Sequence, residues 1–306
     1  MGTPYFGVPV LESLTESGHS VVAIYTRPDR PAGRGRHSAP SPVKQAALAR
    51  GIPVVEPQTL RDDAAVRELT EWAPDLVVVA AFAYLLPPAI LSVPRHGCLN
   101  VHPSLLPQYR GPSPVATAIL NGDLQTGVTI MQMDSGLDTG PIVGQAAVAI
   151  NEDDTTESLT SLLAECGARL LVDTIAPWLA GRVTPRPQRE DEATFSVRIS
   201  AHDARLDWSL SASVLARQVR AYHPWPGSYT LWKGLRLKVV GARPLSLRLP
   251  HPTGAVVAMQ PPDSVGVVTD DGTLCLDRLQ LEGKRAVPAE EFVRGHRDFV
   301  GSVLDT

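Results

Sequence analysis

Cysteine is scarce in this 306-residue chain: three residues, an odd number, which excludes a disulfide-stapled scaffold and fits a reducing compartment. Charge is also sparse at 20%, but 43% of the residues are hydrophobic, so a sizeable core is available and wholesale disorder is excluded. No apolar run approaches the roughly 20 residues that cross a bilayer. The opening MGTPYFGVPV has no charged region followed by a long apolar one, so it does not read as a signal peptide. Gly2 does not read as a myristoylation site, because Phe6 stands where Ser or Thr is required. A cytoplasmic protein acting as a single copy is the expectation. The eight histidines and three cysteines show no Cys-x-x-Cys or His-Glu-x-x-His spacing, so no metal is expected. A Gly-x-Ser-x-Gly elbow is missing too, which argues against a serine hydrolase.

Proline and glycine are plentiful instead, at 28 and 24 residues, which means many turns. The net charge of −4 alone points away from nucleic acid, but it is unevenly spread. Residues 1–181 hold 11 Lys+Arg against 18 Asp+Glu, and residues 182–306 hold 17 against 14. Inside the acidic half, Arg27, Arg30, Arg34, Arg36 and Lys44 face only Asp29 in the Pro- and Gly-bearing stretch TRPDRPAGRGRHSAPSPVK. That stretch shows no helix or strand period and reads as a loop. Two readings stand: a solvated loop, or an arm for phosphates or an RNA backbone.

Residues 1–180 alternate helix and strand patterns. A helix face at Val8, Leu11 and Leu14 is followed by strand signals at 20–25 and 53–55. Ser41-Pro42 opens a second helix, with Ser as N-cap and Pro at the first helical position. A helix over 62–72 precedes the apolar run LVVVAAF at 76–82, as a covered parallel strand requires. Strands follow at 98–102, 128–133 and 142–150, then a helix over 156–179. This alternation implies a parallel or mixed α/β sheet. Residues 182–203 read as a polar linker. Beyond it, one helix at 211–222 and five short strands between 228 and 279 suggest a small OB-like β-barrel.

The richest segment is 97–140. Asn100 and His102 lie two apart on a strand, so they share a face, at the end where open α/β sheets bind ligands. Asp138 lies in a Gly-flanked loop. An amide, an imidazole and a carboxylate suit acyl transfer: the amide donates to a developing oxyanion, imidazolium adds a charged donor, and the carboxylate holds that cation or moves a proton. Spacing alone leaves the alternative open that the pair satisfies loop backbone and that the Asp only forms a turn.

The stretches NVHPSLLPQYRG and GVTIMQMDSGLDTG resemble the signature of the 10-formyltetrahydrofolate-dependent formyltransferases. GTPYFGVPVLESL, RPDRPAGRGRHSAPSPVK and RLDWSLSASVLARQVRAYHPWPGSYT extend the resemblance, in order, over nearly the whole chain. It implies a Rossmann-like α/β formyltransferase domain at 1–181 with a mostly parallel sheet, the linker at 182–203, and an OB-like tRNA-binding domain at 204–306. It implies transfer of the formyl group of 10-formyltetrahydrofolate to the α-amino group of a methionyl initiator tRNA. Asn100, His102 and Asp138 correspond to the catalytic set. The folate pocket would use Phe82, Ala83, Tyr84, Leu86, Ser104, Leu105, Leu106 and Pro107; for Tyr84 and Leu86 two readings stand, the pterin slot or ordinary core packing. Ala83 stands where relatives commonly have Gly, so a negative φ is expected there. The basic loop would reach the tRNA acceptor end through Arg30, Arg34, Arg36 and Lys44, with Arg34 making the end-specific contact. Lys233, Arg236, Lys238, Lys284 and Arg285 would meet its backbone. Amino-sugar formyltransferases and the folate-hydrolase domain are sibling readings without need of the basic loop; a non-catalytic RNA-binding module leaves the three site residues unexplained. Relatives also carry a short apolar strand ahead of the GTP segment. The expectation is that a central strand is absent here and that the true start lies upstream.

Overall fold

The computed structural model describes residues 1–32, 37–260 and 264–305. Contacts divide the chain into two compact units. The first comprises Met1–Pro114, Gln125–Ala149 and Leu159–Ser196; the second comprises Val115–Leu124, Ile150–Ser158 and Val197–Thr306.

In chain order the first half contains α1 (Gly7–Glu16), β1 (Ile24–Tyr25), β2 (Arg30–Ala32), β3 (His37–Ala39), α2 (Pro42–Ala49), β4 (Val54–Val55), α3 (Asp63–Glu71), β5 (Val77–Val79), α4 (Pro88–Leu91) and β6 (Cys98–His102). Then come α5 (Pro114–Asn121), β7 (Gln125–Gln132), β8 (Ile142–Ala149) and α6 (Thr156–Leu179). The helix starts follow local chemistry. Ser41 Oγ accepts from Lys44 N with Pro42 behind it, and Asp62 Oδ1 accepts from Ala65 N.

The sheet of this unit is parallel between β1 and β4 and between β5 and β6, and antiparallel from β6 to β7 to β8. Met1 and Gly2 run between β1 and β5: Gly2 N donates to Tyr25 O, Ala80 N donates to Met1 O, and Gly2 bridges Ala80 in parallel. The strands expected over 20–25 and 76–82 shrink to two and three residues. Beside them lies a cavity of about 420 Å³ lined by Val10, Leu11, Val22, Ile24, Leu69 and Val77 among others. The Met1 amine donates to Val78 O at 2.6 Å, and burial lowers its pKa from 8.0 to about 5. β6 is buried at all five positions. The helix α6 packs closely because Gly167 carries no side chain; a Cβ there would stand 2.7 Å from Val101 Cγ1.

Two expectations change here. The basic stretch is not a plain loop: β2 and β3 pair antiparallel, Arg30 with Ala39 and Ala32 with His37. Its prolines hid the pairing, since Pro31 contributes no N–H to a ladder. Residues 182–196, expected in the linker, belong to the first unit. Arg186 exchanges backbone hydrogen bonds with Ile142, Arg110 N donates to Thr194 O, and Ser196 N donates to Arg110 O.

The second unit adds α7 (Ala212–Ala221), β9 (Tyr229–Trp232), β10 (Leu235–Leu245), β11 (Val256–Met259), β12 (Ser264–Val268), β13 (Thr273–Leu281), β14 (Val287–Pro288) and α8 (Ala289–Gly295). Its strands are antiparallel in the order β11-β12-β13-β10-β9, with β14 on β13. Near the chain end Val303 bridges Ala255 and Asp305 bridges Leu231, which carries the sheet round from β11 to β9. The core beneath holds Trp208, Leu215, Val219, Leu237 and Phe299. Two segments from earlier in the chain are part of this unit. Leu120 O accepts from Arg217 Nε, Asp154 O accepts from Arg220, and Thr156 Oγ1 donates to Ala221 O.

Candidate active site

Asn100 and His102 lie at the C-terminal end of β6, 8% and 4% exposed, with alternating pleat placing them on one face. His102 Nε2 is 3.1 Å from the Tyr109 carbonyl. A carbonyl only accepts, so Nε2 carries a hydrogen. His102 Nδ1 faces Asp138 Oδ2 at 3.7 Å, an ionic contact longer than a hydrogen bond. One ring nitrogen is thus held on backbone while the other faces the carboxylate.

Asp138 comes from the β7–β8 connection. Asp134 Oδ1 shapes that turn by accepting from Gly136 N at 3.0 Å and Thr139 Oγ1 at 2.7 Å. Gly140 is required at its end, because a Cβ there would lie 1.8 Å from Gln132 O. Asp138 itself has φ +54°, and its Oδ2 accepts from Gly111 N at 2.8 Å. Of the three expected side chains, His102 and Asp138 are in contact, and Asn100 shares the His102 face of β6. The sequence reasoning missed the backbone groups of Tyr109 and Gly111 that hold His102 and Asp138.

The segment after His102 is tied down by buried polar groups. Ser104, fully buried, donates from Oγ to Gln108 O at 2.5 Å; Thr129 Oγ1 donates to Ser104 O and accepts from Leu106 N. Ser104 thus holds its own loop, and Leu106 packs with Met131 and Ile142. Gln145 Nε2 donates to Leu106 O beside Pro107. Leu105 reaches Gly127 of β7.

Of the other expected pocket residues, Phe82 and Leu86 are buried in the core with Leu69, Val79 and Ile90. The Leu86 side chain is 5% exposed and packs in that core. Tyr84 is half-buried; its ring meets Phe82 edge-on at 5.2 Å and lies under the Arg27 guanidinium at 5.1 Å. The expectation of a negative φ at Ala83 is overturned: φ is +60°, and Ala81 has +51°. The backbone here takes the shape glycine would give it, although the residue is alanine.

The expected tRNA contacts fare unevenly. Arg34 and Arg36 lie outside the described residues, and of Arg30 only the backbone is described. Lys44 is engaged within the protein by Asp29 and Glu56, each at 2.7 Å, and both raise its pKa. In the second unit, Lys233 pairs with Asp298 and Arg285 with Glu291. Arg236 and Lys238 share the outer face of β10, the former 4.0 Å over the Tyr229 ring. Among the described residues no group of three His, Cys, Asp or Glu is placed to hold a metal, and no helix is long and apolar enough to cross a membrane.

A two-domain α/β and β architecture with an amide, an imidazole and a carboxylate at a strand end defines an acyl-transfer class. Residues 1–175 match the Formyl transferase family and residues 198–297 the Formyl transferase, C-terminal domain family. The chain belongs to the formyl transferase family. The curated relatives it resembles are methionyl-tRNA formyltransferases. That of Roseiflexus sp. (strain RS-1) is 46% identical over 97% of this chain and 91% of the relative. That of Stenotrophomonas maltophilia (strain R551-3) is 45% identical over 97% of this chain and 96% of the relative. Among solved structures, the N-formyltransferase from Helicobacter canadensis, in complex with folinic acid and dTDP-3-aminofucose, has a TM-score of 0.66. It covers 90% of this chain and 96% of its own, and at 19% identity it speaks for the fold alone.

Proposed function

We propose that this chain transfers the formyl group of 10-formyltetrahydrofolate to the α-amino group of methionyl initiator tRNA. The observation that carries the reading is the His102–Asp138 contact, with Asn100 on the same face of β6, in a chain 46% identical over nearly its full length to a methionyl-tRNA formyltransferase. The site is chemically suited to the formyl donor. It offers the Asn100 amide, an imidazole whose Nδ1 is not closed by a tight hydrogen bond, and a carboxylate 14% exposed.

The methionyl amine attacks the formyl carbon and a C–N bond forms. The carbonyl electrons move onto oxygen, giving a tetrahedral intermediate. Asn100 donates to that oxyanion. His102 keeps Nε2 on the Tyr109 carbonyl and offers Nδ1–H, so the charged donor faces both the reacting oxygen and Asp138. One donor of this kind is worth about 2.7–4 kcal/mol in the transition state. Collapse breaks the bond from the formyl carbon to the folate N10. The amine has lost a proton, N10 gains one, and Asp138 relays it through water. Arg30, Arg34 and Arg36 of the basic stretch, with Arg236, Lys233 and Lys238 in the second unit, are the proposed tRNA contacts; Lys44 holds Asp29, next to β2. The chain is proposed to act as a single copy in the cytoplasm; its three unpaired cysteines, two of them buried, support the reducing compartment.

The deciding experiment is label transfer from 10-formyltetrahydrofolate to charged initiator and elongator methionyl-tRNAs and to an amino-sugar nucleotide. Transfer to the initiator species is expected. Transfer to the sugar nucleotide alone would overturn the assignment.

A further inference from the structure

Asp138 sits in a left-handed backbone conformation, φ +54°, which is uphill for a residue with a Cβ. Something outside the turn must hold it there. Gly111 N holds the carboxylate, but the turn's own carbonyls are held from 50 residues away. Gln188 donates both amide hydrogens, to Asp138 O at 2.8 Å and to Gly140 O at 2.7 Å. Its Oε1 accepts from Arg110 Nε at 3.0 Å. Arg110 is 1% exposed and forks onto Glu190 at 2.8 and 3.0 Å. Its next neighbour along the chain is Gly111, the residue that grips Asp138 Oδ2.

The amide cannot be turned over. Arginine only donates and a carbonyl only accepts, so the oxygen must face Arg110 and the nitrogen must face the turn. Gln188 therefore clasps the Asp138 turn from behind while Arg110-Gly111 grips its carboxylate from the front. We infer that Gln188 is a positioning residue, setting the Asp138 carboxylate against His102 Nδ1. This rests on the catalytic reading of Asp138 given above.

The substitution Gln188→Ala is expected to lower kcat about 100-fold, the usual penalty of misplacing a reacting group by an ångström, with KM for both substrates within threefold. Gln188→Glu separates positioning from mere anchoring. A glutamate pairs with Arg110 at least as well, but its second oxygen opposes the two carbonyls of the turn. A role limited to anchoring Arg110 is rescued by Gln188→Glu; a positioning role is not. The test is a double-mutant cycle in kcat with Asp138→Ala, run on the full chain with formyl transfer to methionyl-tRNA as readout and circular dichroism to verify folding. Once Asp138→Ala has removed the carboxylate, adding Gln188→Ala is expected to change kcat less than threefold. Independent, multiplying losses overturn the inference alone, as does wild-type kcat in Gln188→Glu. Wild-type kcat in Asp138→Ala overturns the site reading and the inference with it.

Discussion

Replacing Ala81 and Ala83 by glycine tests the backbone beside the pocket. Both alanines lie in the left-handed region, at φ +51° and +60°. That conformation costs an L-residue roughly 1–2 kcal/mol, because Cβ crowds the following carbonyl. Glycine escapes the crowding but loses about 0.4–1 kcal/mol through the greater freedom of its unfolded chain. The balance is a gain of about 0.5–1 kcal/mol for each site. Applied to both, at about 2–4 °C per kcal/mol for a domain of this size, the double variant melts about 2–8 °C higher. Scanning calorimetry follows the transition of the first unit in Ala81→Gly, Ala83→Gly and the pair. The folate KM is expected to stay within twofold, since the path of the chain is unchanged. Two single variants that melt at or below the parent would refute the reasoning, and with it the left-handed backbone at this point.

Asn100→Ala, His102→Ala and Asp138→Asn should each lower kcat by about 10²–10³ with melting temperatures near the parent's; near-parent kcat in any one removes that residue from the chemistry. The Met1 amine is expected to make stability pH-dependent. It is held near 5 when folded against 8.0 ordinarily, so unfolding takes up a proton between those values. Stability should therefore rise from pH 5 to 8 by up to about 4 kcal/mol and level off above. Acetylating the Met1 amine removes the titrating group and should flatten the pH response; a melting temperature still pH-dependent between those values would contradict the account. Burial pushes the Cys98 thiol up to about 12, so iodoacetamide at pH 8 should label half-buried Cys166 well before Cys98, as mass spectrometry would read.

The parts of the site that were legible in the sequence are local ones. Asn100 and His102 share a face because a strand alternates every residue, and Asp138 was marked by its Gly-flanked turn. Gln188 and Glu190 were not legible: they lie about 50 and 80 residues from their partners in a polar stretch without a period. The left-handed backbone at Ala83 was hidden by its side chain, since alanine there argues for the ordinary conformation. The full strands expected at 20–25 and 76–82 read correctly as apolar, but pairing depends on a neighbour that apolarity does not report. The β2–β3 hairpin was masked by prolines in the same way.

The second unit is assembled from three stretches of chain, and this bears on how such proteins can be recombined. A chimaera that transplants only residues 197–306 leaves behind Leu120, Asp154 and Thr156, and so strips Arg217, Arg220 and the end of α7 of their partners. A donor module has to bring 115–124 and 150–158 with it. The first of those pieces interrupts the stretch of chain that carries Asn100, His102 and Asp138, and the second follows it. Exchange of the second unit between relatives is therefore not a matter of one crossover.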